Sequence, residues 1–195
     1  MNFKAIAIAT TSAAAAGLAA GIYIGISIGF NQAAMLQENP LRGPATASDG
    51  DTLTITNELG KHSVRIWGAD ALESRQTCTA ARTKVECGKT ARDVTRALLA
   101  EGDVNCEKKE DRDRYGRYVA ICFSAAGTDI GRHIIQQGYA IEYKEYSDGR
   151  YAADEQAARA AKRGMWGMSF QEPAAWRKCN TGAVDTRPKS CPVGP

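Results

Sequence analysis

Two aspartates, a glutamate and two arginines stand out in the middle of the chain: Asp51, Asp70, Glu73, Arg65 and Arg117. They fall in three short motifs, Ser48-Asp49-Gly50-Asp51-Thr52, Arg65-Ile66-Trp67-Gly68-Ala69-Asp70-Ala71-Leu72-Glu73 and Asp113-Arg114-Tyr115-Gly116-Arg117. Two carboxylates can hold a hard divalent cation, and a third can manage an attacking water. Two guanidiniums can grip a phosphate through forked hydrogen bonds. That set suits phosphodiester hydrolysis. Each motif alone has an ordinary structural reading: Asp-Gly is a common turn, and a strand arginine is normally solvated. Glu73 can equally pair with Arg75 at the surface. Oxygen donors without histidine or cysteine beside them point to calcium or magnesium rather than a transition metal.

The elements around these residues read as a small mixed domain. Residues 52–56 and 62–67 alternate apolar and polar about a Gly60 turn, which predicts a hairpin. That alternation puts Val64 and Ile66 on one face and Arg65 on the other. Residues 88–101 switch to helical spacing, with Ala91, Val94 and Leu98 on one side and Gly102 as the stop. Residues 104–108 and 117–123 form a second strand pair across a loop of mixed charge. Asp129 caps a short helix ending at Gly138, 139–143 is a further strand, and 150–163 is an Ala-rich helix stopped at Gly164. Trp67 and Trp166 read as core residues, and His62 and His133 carry no constellation around them. About five strands and three helices in this order are compatible with an OB-type barrel.

The order of motifs resembles the staphylococcal-nuclease-like (thermonuclease) family over about residues 44–167, down to Gly164-Met165-Trp166 at the end of the late helix. The resemblance implies an OB-fold domain, a five-stranded β-barrel with about three helices. It also implies calcium held by Asp51, Asp70 and the backbone carbonyl of Ala71. Glu73 matches the glutamate assigned to the attacking water, and Arg65 and Arg117 match the phosphate-binding arginines. Arg114 and Tyr115 fall beside the nucleotide, as a cation and a stacking face. Tyr143 and Tyr146 are candidates for a second aromatic wall. The chain departs from the family at Leu72, where proline is usual.

Length and composition set the frame. The 195 residues carry a net charge of +3, which permits a polyanionic substrate without demanding one. From Ala5 to Gln37 no residue is charged, long enough to span a bilayer. Gly17, Gly21, Gly25 and Gly29 recur at every fourth position there, a smooth stripe along which another membrane helix can pack, so homo-oligomers are one expectation. The competing reading is a signal peptide cleaved near Ala13-Ala14-Ala15. Either places the domain outside the cytoplasm, anchored in the cell envelope or secreted. Segment 1–37 is thus the anchor or signal, 38–44 a Pro- and Gly-containing linker, 45–178 the domain and 179–195 a tail.

Six cysteines in such a chain read as disulfides, and fifteen pairings are open. Proximity and the expected hairpin favour Cys78–Cys87, Cys106–Cys122 and Cys179–Cys191. A zinc site is disfavoured, since no Cys-x-x-Cys spacing occurs. The activity that the resemblance implies is calcium-dependent hydrolysis of DNA and RNA, leaving 3′-phosphate ends. The alternative is a non-catalytic OB module binding nucleic acid or protein at the envelope. Such modules typically lack the carboxylates or arginines that are all present here.

Overall fold

The alternating segment that begins at Thr52 becomes the spine of the molecule. The computed structural model describes residues 40–180. Its strands are β1 (Arg42–Gly43), β2 (Ala45–Asp49), β3 (Thr52–Asn57), β4 (Gly60–Ile66), β5 (Ala69–Ala71), β6 (Cys78–Ala80), β7 (Thr83–Val85), β8 (Val104–Glu110), β9 (Tyr118–Phe123) and β10 (Ala140–Glu142). The helices are α1 (Cys87–Leu99), α2 (Ile130–Gln136), α3 (Lys144–Ser147), α4 (Ala152–Ala160) and α5 (Pro173–Asn180), with a 3-10 turn at Gly164–Gly167.

β1, β8, β9, β4, β3 and β2 form one sheet in that order, antiparallel except where β4 runs parallel to β9. β10 pairs with β5, and β6 with β7. The expected five-stranded barrel with three helices is therefore corrected. Among the described residues there is a six-stranded mixed sheet without a closing ladder, with five helices. The reason lies at Pro44. The edge strands β1 and β2 are successive pieces of one segment, and proline between them has no N–H to continue a ladder. The sheet curls so that one short stretch of chain serves both its edges. Leu41 is buried in the core and Arg42–Gly43 pair with β8, so the end of the expected linker is built into the sheet.

Period-two burial holds as expected. Leu53, Ile55, Val64 and Ile66 point into the main core with Ile130, Ile134 and Ile135 of α2. The α2 cap is as expected too, with Asp129 accepting from the Arg132 N–H at 3.0 Å. A second apolar cluster gathers Leu72, the two half-cystines Cys78 and Cys87, Ala91, Met165 and Phe170. Trp67 is buried in the main core, and Trp166 packs against the second cluster.

Cys78–Cys87 and Cys106–Cys122 are both formed, the latter between directly paired residues of β8 and β9. Cys179 is disulfide-bonded, while Cys191 lies outside the described residues. The expected membrane segment and its glycine stripe also lie outside them. Among the described residues no helix is long and apolar enough to cross a membrane.

Candidate active site

Three connections bring the motifs together. The β2–β3 turn carries Asp51, and its Gly50 lies so close to β5 that an added Cβ would come within 2.7 Å of the Ala71 Cβ. Asp49 accepts from the Ser74 N–H at 2.8 Å, joining the first motif to the second. The Ala71 N–H donates to Asp51 Oδ2 at 2.6 Å. Ala71 is thus next to the candidate ligands, with its amide already committed to one of them.

Arg65, on the face of β4 away from Val64 and Ile66, lies between the two aspartates. It donates to Asp51 Oδ1 through Nη1 and to Asp70 Oδ1 through Nη2 at 2.6 Å. Both carboxylates are nearly inaccessible, at 2% exposure each, so this arginine is not a solvated strand residue. Burial pushes the Asp51 pKa up to about 6, with Asp70 and Glu73 adding to the rise and Arg65 opposing it. Burial also works against the Arg65 charge, but Asp51 and Asp70 outweigh it and raise its pKa.

Arg117 approaches from the β8–β9 loop. Asp113 aims it: Asp113 Oδ2 accepts from Arg117 Nε at 2.8 Å and Nη2 at 2.7 Å, and Oδ1 accepts from the Tyr115 and Arg117 amides. Although burial acts in the opposite direction, these bonds hold the Asp113 pKa below its ordinary value. Arg117 Nη1 then reaches Thr52 Oγ1 at 3.3 Å, and that hydroxyl donates to Asp51 Oδ1 at 3.2 Å. Tyr115 is 67% exposed, with the Arg114 and Arg117 guanidiniums 4.8 and 5.2 Å from its ring centroid. An exposed ring flanked by cations suits an unpaired base. Tyr143 and Tyr146 form an edge-on pair at 4.9 Å and are both exposed.

Glu73 sits on a turn held from several sides. Its N–H donates to Gln76 Oε1 at 3.2 Å, and its carbonyl accepts from the Gln76 N–H at 2.7 Å. Behind it, a Cβ on Gly88 would fall 1.7 Å from the Glu73 carbonyl oxygen, so only glycine lets α1 begin there. Leu72 is fully buried, and its N–H donates to Tyr139 O at 3.1 Å. Proline has no such proton. The residue that departs from the family pattern therefore supplies a tie of its own.

One residue of the site carries no signal in the sequence motifs. Arg177, from α5, donates to Asp70 Oδ1 at 2.9 Å and Oδ2 at 3.0 Å, and to Glu73 Oε1 at 2.9 Å. Burial opposes its charge, but its bonds to Asp70 and Glu73 prevail and raise its pKa. Asp113 and Thr52 stand within the motifs without a catalytic signal of their own. An Asp three residues ahead of Gly is a turn signal that marks Asp113. For Arg177 the only cue is Pro173 at the first position of a helix.

The sequence profile described as staphylococcal nuclease homologue matches residues 63–168. The chain belongs to this family of nucleases. It is 35% identical to the succinoglycan biosynthesis protein ExoI of Rhizobium meliloti (strain 1021) over 154 residues, 78% of this chain and 76% of that one. It is 27% identical to an uncharacterized endonuclease of Escherichia coli over 131 residues, 66% of this chain and 79% of the relative. Endonuclease YhcR of Bacillus subtilis (strain 168) is 28% identical over 60% of this chain, which corresponds to 11% of that longer protein. The family match includes Arg65, Asp70, Glu73 and Arg117, and excludes Asp51 and Arg177.

Among the described residues, no three His, Cys, Asp or Glu side chains gather as a ready metal cage. The donor chemistry nonetheless fits a hard cation. Two buried carboxylates share one guanidinium, and their oxygens are the donor type that calcium or magnesium takes.

Proposed function

We propose that this staphylococcal nuclease homologue is a calcium-dependent nuclease hydrolysing phosphodiester bonds of DNA and RNA outside the cytoplasm. The observation that carries the reading is the continuity of the site. Arg117, Thr52, Asp51, Arg65, Asp70 and Glu73 lie in one chain of polar contacts, with Arg177 joining Asp70 to Glu73. Asp51 and Asp70, with the carbonyl of Ala71, would hold calcium. A cation there supplies charge neutralisation at the phosphoryl oxygens.

Arg65 and Arg117 bind the phosphate from two sides and stabilise the charge that builds on its oxygens. Glu73 aligns the attacking water or takes its proton. Water adds to phosphorus, the bond from phosphorus to the 5′-oxygen breaks, and that oxygen leaves with a proton. The products are a 3′-phosphate and a 5′-hydroxyl. Tyr115 and Arg114 hold an unpaired base, which favours single-stranded or frayed substrate. The uncharged segment before Glu38 supports placement of the domain on the outer side, as an anchor or an export signal.

The test is release of acid-soluble nucleotides from single-stranded DNA by the oxidised protein, with calcium, magnesium or chelator. Calcium-dependent release that disappears in Glu73→Ala and Arg117→Ala is expected. A folded, disulfide-bonded sample that releases nothing would end the nuclease reading.

A further inference from the structure

Helix α5 lies beyond the family match, which ends at residue 168, yet it places a cation on the centre of the site. Arg177 engages both oxygens of Asp70 and one oxygen of Glu73. Asp70 also receives Arg65, so two guanidiniums, through three N–H donors, converge on this one carboxylate. These are the oxygens that, on the nuclease reading, serve the cation and the water. A guanidinium and a divalent cation repel each other and want the same lone pairs, so the two compete.

The attachment of α5 is light. Only Pro173 and Cys179 of its eight residues are buried, and a third of the Arg177 side chain faces solvent. Its base is held where Gln76 Nε2 donates to the Gln171 carbonyl at 2.5 Å, and its far end carries the disulfide-bonded Cys179. A short helix fixed at its ends and held centrally by an ion pair can let go without unfolding the core.

We propose that α5 is an autoinhibitory latch. Arg177 closes the site by occupying Asp70 and Glu73, and a divalent cation opens it by displacing the guanidinium. This rests on the nuclease reading for the role of those carboxylates. The experiment separates the two. Calcium binding to the full chain, disulfides intact, is measured by titration calorimetry for the native protein, Arg177→Gln and Arg177→Lys. Arg177→Gln should bind calcium about tenfold or more tightly than the native protein, with Arg177→Lys between them. Equal affinities, or no binding by either, overturn the latch.

Hydrogen exchange on the native protein needs no variant. Calcium should speed exchange of the amides in 173–180, and unchanged protection there overturns the proposal. Nucleotide release from the same samples distinguishes the failures. Tighter calcium binding without release keeps the latch and removes the nuclease. Lost release at unchanged calcium affinity makes Arg177 a substrate contact and removes the latch.

Discussion

Arg65 and Arg117 look equivalent as catalytic arginines, but their surroundings give them different energetic roles. Arg65 lies between two carboxylates at 2% exposure, whereas Arg117 is half-buried and paired with Asp113. Removing Arg65 leaves buried charge without its partner, a change that typically costs about 3 kcal/mol or more. Removing Arg117 leaves Asp113 able to turn toward water. Arg65→Ala should therefore lose both stability, measured by urea unfolding without divalent cations, and activity. Arg117→Ala should lose on the order of 10²-fold in activity while its unfolding midpoint stays close to native. Equal loss of stability in the two would contradict the asymmetry. The motif residues were legible in sequence because each sits beside a turn or strand signal. Arg177 was not, because its partner Asp70 lies 107 positions away and only the docking of α5 brings them together.

At the scale of elements, the turn from Asp70 to Glu73 shows how a local substitution can be compensated. The family's proline fixes a turn by restricting its own backbone. Here Leu72 fixes it by burying a side chain with Met165 and Phe170 and by donating to Tyr139. Restoring the family residue should therefore hurt: Leu72→Pro loses a buried hydrogen bond and leaves a void. A destabilisation of about 2 kcal/mol or more is expected by denaturant unfolding. A Leu72→Pro variant as stable as the native protein would show that the turn is held elsewhere. The hairpin of β3 and β4, helix α1 and the Asp129 cap were readable because period and capping are local signals. The short strands β1, β5, β6 and β7 were not, since two or three residues carry no period and owe their pairing to distant partners.

For the whole molecule, the two described disulfides divide the work between stability and geometry. Cys106–Cys122 spans 16 residues and joins the neighbouring interior strands β8 and β9. Removing it as a double alanine variant should cost about 3 kcal/mol, visible as a lower melting temperature. Cys78–Cys87 spans 9 residues and stands behind the Glu73 turn, where Cys87 Sγ lies 3.7 Å from the Gln76 carbonyl. Its double alanine variant should lose more turnover for each degree of melting temperature lost. The same ratio in both variants would remove the distinction. Pairing by proximity was readable from the sequence. The open six-stranded sheet was not, because a single proline decides where its ladder stops.

That proline also bears on how copies of the protein meet one another. The exposed margin of a sheet ordinarily offers a row of donors and acceptors to any passing strand. Here the two outermost strands of the six-stranded sheet belong to one stretch, 42–49, interrupted at Pro44 where no donor exists. Above it, Arg96 of α1 already holds the Ala47 carbonyl, through Nε at 3.2 Å and Nη2 at 3.0 Å. A stray strand finds too short a run of free backbone to register against. The stretch 42–49 is therefore a poor template for an added strand, through the connectivity of the chain rather than through a repelling surface charge.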